Sequence, residues 1–433
     1  MKMYINTDRR RRAYGGLAAF VMAAGIVAWT PVSAAENFGE QMVNTFKNGE
    51  FDVNFRYRYE FVDQDNTKKN ANASTLRTRL VFRTAKWNNL DLTVNMDDIH
   101  AIVGYNYNST RNGKTQYQTV ADPTGTELNI AALTYSGLQN TKFVLGRQRI
   151  IRANHRFIGN VGWRQNEQTY DALSGYYEKD SFKVFYSYVD KVNRIFGPES
   201  GKPSASFASD SHLLDASYKL NNALSVAVYG YWLDLDSKTG TPAAFNASNQ
   251  TYGIRFTGAP KINDDWTLTY VAELATQKDY QKNVNNYDAD YVFLQLGFKW
   301  NRFSLKGGYE LLGSDNSAGV AFQTPLATLH AHNGWADKFL STPAAGLEDV
   351  SLAASAKVLK GSMALVLHDF SSDSGSTDYG TEVDVVAKWP FAKHYSVLGK
   401  LAFYNADDGP ANLPTASLGQ DTTKAWLMMT AAF

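Results

Sequence analysis

Residues 51–61 read FDVNFRYRYEF, with an apolar or aromatic side chain at every odd position and a polar or charged one at every even position. Because successive side chains of a β-strand point to opposite faces, one face of this strand is apolar and the other polar. The pattern continues for 11 residues, whereas strands of soluble sheets are usually about 5 or 6 residues long. A strand that crosses a membrane needs about 9 to 11 residues. The segment therefore predicts a membrane-spanning strand rather than the edge of a sandwich.

The N-terminus has the features of a secretory signal peptide, which we predict over residues 1–34. Arginines at positions 9–12 precede an apolar run over about 13–29, and small residues follow at 33–35. An uncleaved membrane anchor is the alternative, but the run is short for a helix that needs about 20 residues. A twin-arginine signal is discounted, because that route carries folded proteins and this chain is expected to leave the cytoplasm unfolded.

Composition excludes several classes of protein. The chain has 43 basic and 42 acidic residues, of which the leader holds five and one, so the mature net charge is about −3 and gives no support for nucleic-acid binding. There is no cysteine for a disulfide or a thiolate site. Tyrosine, phenylalanine and tryptophan number 25, 24 and 9, while the mean hydropathy is negative. Many aromatic residues without an apolar helix are typical of a transmembrane β-barrel.

Alternating segments of about ten residues recur along the chain and predict eighteen strands. They lie at 51–62, 75–87, 90–98, 128–136, 142–148, 168–177, 182–190, 212–220, 224–233, 250–258, 265–275, 288–300, 302–311, 348–358, 361–370, 380–389, 395–404 and 423–433. Connections are long after odd strands and short after even ones, as in bacterial barrels with long extracellular loops and short periplasmic turns.

We therefore predict an all-β fold, an antiparallel up-and-down transmembrane barrel that forms a single domain over residues 35–433, in the outer membrane of a Gram-negative bacterium. Both termini then lie in the periplasm. A short helical segment is expected within 35–50, before the first strand. The chain ends on Phe433, which resembles the terminal signal by which the barrel-assembly machinery recognises its clients. An ordinary buried last strand is the alternative.

The polar faces of the first two strands carry five arginines: Arg56, Arg58, Arg77, Arg79 and Arg83. An arginine directed at lipid costs about 2 to 4 kcal/mol at the membrane midplane, so these side chains are expected to face the lumen. Strand three adds Asp91 and Asp97 beside them. Two interpretations remain open. The charges form structural ion pairs between strands, or surplus arginines form a constriction that attracts anions.

The connection at 146–171, GRQRIIRANHRFIGNVGWRQNEQTYD, is unusually basic. It is the third external loop, a position from which barrels commonly fold a loop into the lumen. We expect it to narrow the pore there. Its candidate pore-lining residues are Arg147, Arg149, Arg152, Arg156, Trp163, Arg164, Gln165, Glu167 and Asp171.

Residues 146–149 and 157–171 resemble the signature of the alginate export family of outer-membrane porins, and Glu127-Leu-Asn upstream also fits. The resemblance implies a monomeric 18-stranded barrel with an arginine-rich, anion-selective pore. Residue by residue, it implies that Arg147, Arg149, Arg152 and Arg164 are the basic positions. It likewise implies amide donors, to sugar hydroxyls or to the loop backbone, at Gln165, Asn166 and Gln168. His155 stands where a glutamine would be expected.

Candidates for catalysis or metal binding are weak, and we expect no catalytic residue, metal or cofactor. His330 and His332 have the spacing of half a metal site, but no acidic ligands follow nearby, so a solvated loop is the better interpretation. His368 and Asp369 lie near Ser371, yet adjacent strand residues point to opposite faces, which argues against a hydrolase triad.

The sequence thus predicts passive diffusion of anionic solutes, an alginate-like acidic oligo- or polysaccharide above all, through an arginine-lined constriction. An uptake pore for small organic anions is equally compatible with these residues. A non-conducting anchor or adhesion barrel and a barrel hydrolase are weaker alternatives. The expected partners are membrane lipid, the anionic solute and the assembly machinery, without nucleic acid.

Overall fold

The computed structural model describes residues 33–199, 201–237, 247–407 and 417–433. The predicted signal peptide falls on residues 1–34, almost all of them outside the described part, and stays a prediction. Helix α1, Ser33–Lys47, belongs to a unit of its own that ends at Asn48. It confirms the expected helical segment and is longer than expected. In the part of the chain that is described, no helix is long and apolar enough to cross a membrane.

Residues 49–433 form a closed antiparallel barrel of eighteen strands. The strands are β1 Glu50–Gln64, β2 Ala71–Arg83, β3 Leu90–Asn106, β4 Gly125–Tyr135, β5 Thr141–Gln148, β6 Thr169–Lys179, β7 Phe182–Asn193, β8 Ser206–Lys219, β9 Ser225–Leu233, β10 Asn249–Gly258, β11 Trp266–Asp279, β12 Asp288–Trp300, β13 Phe303–Leu312, β14 Leu347–Val358, β15 Gly361–Ser371, β16 Asp378–Pro390, β17 Tyr395–Ala406 and β18 Thr422–Ala432. Each strand pairs with the next, and β1 also pairs with β18, which closes the barrel.

All eighteen predicted strands are present, and most connections follow the predicted alternation of length. The external loops at 65–70 and 372–377 are exceptions, because they are no longer than the periplasmic turns at 84–89 and 259–265. Several strands are longer at their external ends than the alternation indicates. β3 extends to Asn106 and β8 begins at Ser206, because the hydrogen-bond ladder continues beyond the alternating segments. β2 covers Ala71–Arg83 instead of 75–87, a shift towards the external side. Leu235–Ser237 continues the edge of β9 and pairs with β8.

The two faces of the barrel differ in chemistry as the sequence predicts. On β1, Arg58 and Glu60 are buried inside, while Phe51 and Phe55 are exposed on the outer surface. The outer face continues as an apolar belt on the other strands. Near the periplasmic turns, Trp300 stacks on Trp266 and on Phe303 with ring centroids 5.9 and 5.8 Å apart, as in an interfacial aromatic girdle.

Among the described residues, two long external loops fold into the lumen. We call the connection between β5 and β6 (149–168) L3 and the connection between β13 and β14 (313–346) L7. Inside L7 are the two-residue strands Ser314–Asp315 and Val320–Ala321 and the 3₁₀ turn Leu329–Ala331. The sequence predicts the inward course of L3 but not that of L7.

L3 and L7 share one apolar core. The backbone N–H of Gly159 donates to the carbonyl of Leu326 at 2.8 Å. Phe157 packs against Phe322 with ring centroids 5.7 Å apart, and against Tyr291 of the barrel wall at 5.2 Å. Because these side chains are buried together, the two loops form a single packed insertion that we call the L3–L7 insertion.

Candidate functional site in the loop-filled lumen

Glu167 of L3 joins two arginines on the inner wall. Arg79 of β2 binds Asp97 of β3 with both carboxylate oxygens, at 2.7 and 2.6 Å, and also reaches Glu167 at 2.7 Å. Nε of Arg149 donates to the other oxygen of Glu167 at 2.6 Å. Burial alone would raise the pKa of Glu167, but the bonds from Arg149 and Arg79 outweigh it and lower that pKa. L3 is thereby fixed to the wall by a charged carboxylate.

A second group of charges holds the end of L3. Nη1 of Arg58 lies 3.2 Å from Asp122, and its guanidinium stacks over Trp163 at 4.5 Å from the ring centroid. Nη1 of Arg164 lies 3.0 Å from Glu60 of β1. Aromatic stacking and bidentate pairing are the contacts that a planar guanidinium makes best, so both arginines are held in place by geometry as well as by charge.

Two further arginines make no carboxylate contact in the described structure. Arg56 donates from Nε to Gln165 at 2.9 Å and from Nη1 to the carbonyl of Gly162 at 3.0 Å. Arg77 donates from Nη2 to Asn54 at 3.0 Å, and its Nε has no partner. Arg56 and Arg77 are directly opposite each other in the register of β1 and β2, so two positive charges share one point of the wall.

We define the arginine wall as Arg56, Arg58, Arg77, Arg79, Arg149 and Arg164. Their guanidiniums contact the carboxylates of Glu60, Asp97, Asp122, Glu167 and Asp337. Asp337 is shared with Lys424 at 2.7 Å. Seven cations thus meet five carboxylates. Ion pairing accounts for most of the wall, and the surplus of two positive charges is the part that the anion-attracting interpretation requires.

Exposure divides the predicted arginines into two groups. The side chains of Arg83, Arg149, Arg152 and Arg79 are 46, 30, 23 and 16% exposed. Arg58 is fully buried, and Arg56, Arg77, Arg156 and Arg164 are nearly so. A solute can therefore touch the first group in this arrangement of the loops. The second group acts on it only through the electric field.

Two arginines of L3 reach away from the arginine wall. Nε of Arg152 lies 2.9 Å from Asp215 of β8. Nε of Arg156 lies 2.8 Å from Glu310 of β13, and its Nη2 donates to Asn333 of L7 at 3.0 Å. L3 is consequently fastened to both sides of the lumen.

An acidic inner wall lies on the strands that follow. It consists of Glu273, Glu310, Asp349, Glu382 and Asp384, all buried. The tip of L7 binds to it: Asn333 donates to Glu310 at 2.7 Å, and the backbone N–H of Ala336 donates to Glu382 at 2.7 Å. Our sequence interpretation missed this wall. The signal was present, since acidic residues on lumen-facing positions of successive strands need a partner and L7 is the long loop that supplies it.

Lys400 of β17 lies in a cage of aromatic rings. Its ammonium is 3.7 Å from the ring centroid of Trp335, 4.3 Å from that of Trp163 and 5.4 Å from that of Trp426. Its Nζ also lies 2.7 Å from Nε2 of His330. The cage joins L3, L7, β17 and β18 at one buried cation.

Arg147 and Asp171 do not line the pore, and our prediction for them is wrong. Arg147 of β5 binds Asp171 of β6 at 2.7 Å, but it shares its face with the exposed Leu145, while the alternate residues Gln148 and Ser174 are buried inside. Gly146 has a φ of +114°, and the β6–β7 register shifts between Asp171 and Ala172. Such irregularities re-aim side chains near the end of a strand.

Three amides of L3 serve the protein rather than a solute. Gln165 is fully buried and donates to Thr75, and Asn166 donates to the carbonyl of Pro123 at 3.3 Å. Gln168 donates to the carbonyls of Gly159 and Leu326 at 2.9 and 3.1 Å. Of the two roles that the resemblance implies, the bonds of Asn166 and Gln168 support the one towards the loop backbone, whereas Gln165 binds the barrel wall.

The histidines also differ from expectation in one respect. His330 and His332 lie in the packed L7 tip, so the prediction of a solvated loop is wrong. Nδ1 of His368 donates to Asp349 at 2.8 Å across neighbouring strands, while Asp369 is on the opposite face, as predicted. Among the described residues, no cluster of three or more acidic, histidine or cysteine side chains could hold a metal.

The remaining predicted positions lie near the periplasmic end. Arg83 binds Asp52 at 2.6 Å, and Asp91 is on the lumen face of β3, in register with Thr134. Phe433 stacks on His394 with centroids 5.1 Å apart and donates its N–H to Val53 at 2.9 Å. The terminal aromatic is therefore exposed at the seam where the barrel closes, and its role in assembly stays a prediction.

Comparison with solved structures identifies the fold. OccAB4 of Acinetobacter baumannii is 14% identical, with a TM-score of 0.66 over 90% of this chain and 99% of that one. OccK9 (OpdG) of Pseudomonas aeruginosa is 12% identical, with a TM-score of 0.68 over the same shares. The outer membrane protein OpdK of Pseudomonas aeruginosa is 11% identical, with a TM-score of 0.63 over the same shares. The chain has the fold of an 18-stranded outer-membrane barrel.

A closed barrel with an apolar outer belt is the architecture of Gram-negative outer-membrane proteins, and this chain is located in that membrane. No protein-family model and no curated protein sequence matches it. The resemblance to the alginate export family therefore remains a prediction from the sequence, whereas the eighteen-stranded barrel that it implies is confirmed.

Proposed function

We propose that this barrel is a passive outer-membrane channel for small anionic solutes. The observation that carries the proposal is the surplus of two positive charges on the arginine wall, where Arg56 and Arg77 face each other without a carboxylate. Arginine keeps its charge at any physiological pH. Anions are therefore concentrated on this side of the lumen, and cations are repelled from it.

The accessible arginines supply the contacts. Arg79 and Arg149 are partly exposed on the arginine wall, and Arg83 is partly exposed nearer the periplasmic end. A passing solute carboxylate can replace a protein carboxylate at one of these guanidiniums. The neighbouring Asp97 and Glu167 compete for the same guanidiniums. Competition keeps binding weak enough for release, which conduction requires.

The L3–L7 insertion favours small solutes over a polysaccharide. It contacts the inner wall from β1 to β18, and Arg58 is fully buried beneath Trp163. A long acidic chain would need these contacts to separate along its whole path. Small organic anions need only the space beside the exposed arginines, so they are the solute class that we assign.

Reversal potentials of the purified protein in planar bilayers, measured under a KCl gradient, test the proposal. The parent should prefer chloride, and R149Q and R83Q should each lower that preference. R147Q is the matched control, since Arg147 is close in sequence and directed outward, and it should leave selectivity unchanged. Cation preference in the parent, or equal effects of R147Q and R149Q, would refute the proposal.

Solutes of graded size separate the remaining alternatives. In liposome swelling, gluconate-sized anions should enter and oligomeric alginate should not. Entry of the oligomer would support polysaccharide transport instead. Absence of any conductance or swelling would support an anchor or adhesion barrel.

A further inference from the structure

The periplasmic end of the inner wall from β8 to β17 carries lysines that take no part in the arginine wall. Inward and outward side chains alternate along each strand. Lys299 is an even number of residues from the inward, buried Tyr291 and is therefore inward, whereas its neighbour Phe298 is exposed on the outer face. The same argument applied to each strand assigns five lysines to the inner face. They are Lys219, Lys299, Lys306, Lys357 and Lys388.

Each of the five lies within three residues of the end of its strand next to a short turn. In the barrel as described, none of them makes an ion pair with a carboxylate. Many of the inward positions around them bear hydroxyl groups, others such as Gln295 and Leu398 are uncharged, and the recess described below has no aspartate or glutamate in its lining. The hydroxyl residues are Ser217, Ser225, Thr257, Thr267, Thr269, Ser304, Ser355, Ser362 and Ser396.

Elsewhere on the same rim, two inward basic side chains have acidic partners. Arg83 binds Asp52 at 2.6 Å, and Lys183 is paired with Glu178. The five inward lysines between β8 and β17 lack the carboxylate partners that Arg83 and Lys183 have.

Three of these lysines border one recess. Lys219, Lys299 and Lys306 line it together with Ser225, Thr257 and Gln295, among others. Lys299 and Lys306 are diagonal neighbours across the β12–β13 hairpin, because Lys299 is in register with Ser304. Diagonal positions are about 7 to 8 Å apart, so the two ammonium groups repel each other. No carboxylate partner in the described structure offsets that repulsion.

Lysines, hydroxyls and an amide without a competing carboxylate are the donors that bind oxyanions. We propose that this recess is a separate binding site for a multivalent oxyanion, a solute with several phosphate or carboxylate groups. Lys299 and Lys306 hold one end of the anion, Lys219 approaches from the β8 side, and Ser225 and Thr257 donate hydroxyl hydrogens.

The site is distinct from the arginine wall in composition and position. Most of the arginines are paired with carboxylates in the loop-filled part of the lumen, whereas the recess lies at the periplasmic turns and its lining contains no acidic residue. Its role in transport, to retain multivalent anions at the periplasmic mouth, rests on the proposed function. Binding of an oxyanion in the recess does not depend on the proposed function.

Calorimetric titration of the purified full-length protein in detergent at low ionic strength tests the site without requiring conduction. Tripolyphosphate is the probe, and orthophosphate should bind more weakly because it spans fewer lysines. K299Q/K306Q should weaken tripolyphosphate binding by about tenfold for each lysine removed. K357Q/K388Q is the matched control, since it removes the same charge from the same rim outside the recess. It should change the affinity less than threefold, or by about 0.6 kcal/mol at most.

Equal weakening in the two double variants would show a diffuse field rather than a site and would overturn the proposal. So would a parent protein that fails to bind tripolyphosphate, or that binds both phosphates equally. Reversal potentials of K299Q/K306Q keep the two proposals apart. Loss of tripolyphosphate binding with retained chloride preference supports both, whereas a cation-selective parent refutes only the channel proposal.

Discussion

Nζ of Lys400 lies 2.7 Å from Nε2 of His330, and this contact fixes the tautomer of the histidine at the tip of L7. An ammonium group can only donate, so Nε2 accepts and Nδ1 carries the ring hydrogen. Nδ1 in turn donates to Asp337 at 2.7 Å. His330 is consequently neutral, and it links a cation on the barrel wall to a carboxylate of L7.

Acid should loosen L7. Burial lowers the pKa of His330 to about 3, because desolvation and the nearby Lys400 outweigh the attraction of Asp337, and burial also lowers that of His332 to about 3. In a released loop each would titrate near 6.5. As pH falls below 6.5, the released form takes up protons that the packed form refuses. The free energy that favours the packed form of L7 over the released form therefore falls by up to about 1.4 kcal/mol per pH unit for each histidine.

Single-channel recordings between pH 6 and pH 4 measure this effect. Openings should become more frequent as the pH falls. The pKa of Lys338 is about 7, lowered by burial, so this lysine is protonated throughout the window. The variant H330Q/H332Q should have a flatter profile, and an unchanged slope in that variant would assign the response to other groups.

The aromatic cage should stabilise L7 through the charge of Lys400. Cation–π contacts of desolvated cations contribute about 2 kcal/mol. A double-mutant cycle of K400M and W335F, with the free energy of urea unfolding in lipid vesicles as the readout, should give a coupling energy of about 1 kcal/mol. K400M alone should cost about 1 to 3 kcal/mol, since it also leaves Nε2 of the buried His330 without its donor. A coupling near zero would reduce the cage to ordinary packing.

The pair Arg156–Glu310 should restrain L3. R156Q leaves Glu310 buried without its charged partner, a loss of about 3 to 5 kcal/mol for buried pairs. Noise in the open-channel current should rise as L3 detaches from β13. R156Q/E310Q removes both charges, and its current noise should lie between that of R156Q and that of the parent protein. If the double variant is noisier than R156Q, the anchor depends on Asn333 rather than on the ion pair.

Gly146 should tolerate no side chain. Its φ is +114°, and an added Cβ would lie 2.3 Å from the carbonyl oxygen of Ala131. G146A should lower the free energy of unfolding by about 3 kcal/mol, from backbone strain and this clash. Gly307, where an added Cβ meets nothing within 4 Å, is the control. G307A should leave stability unchanged or raise it slightly, because alanine restricts the unfolded chain.

The strands could be predicted from the sequence because lipid and lumen impose a period of two on every crossing. The chemical contrast of residues 51–61 recurs in every strand, and loop length then assigns the sides of the membrane. Arg147 and Asp171 were misassigned for a related reason. A shift of one residue exchanges the faces of a strand, and the irregular backbone at Gly146 does not appear in a hydropathy pattern.

The position of L7 could not be derived in the same way, since a loop has no period. Phe322, Leu326, Trp335 and Phe339 make it more apolar than a solvated loop needs to be, which is the signal that it packs. Its partners, however, are on strands far apart in sequence. The acidic wall becomes visible as an anchor only when Glu310 and Glu382 are brought to the same side of the lumen.

The common core of L3 and L7 gives channel opening a thermal signature. Withdrawal of the insertion would expose Phe157, Phe322 and Leu326 to water, and hydration of apolar surface raises the heat capacity. The enthalpy of opening then changes with temperature, so the logarithm of the open-to-closed ratio should follow a curve rather than a straight line against reciprocal temperature. Two segments far apart in sequence would thus leave the lumen together in one cooperative transition, while the barrel around them stays folded.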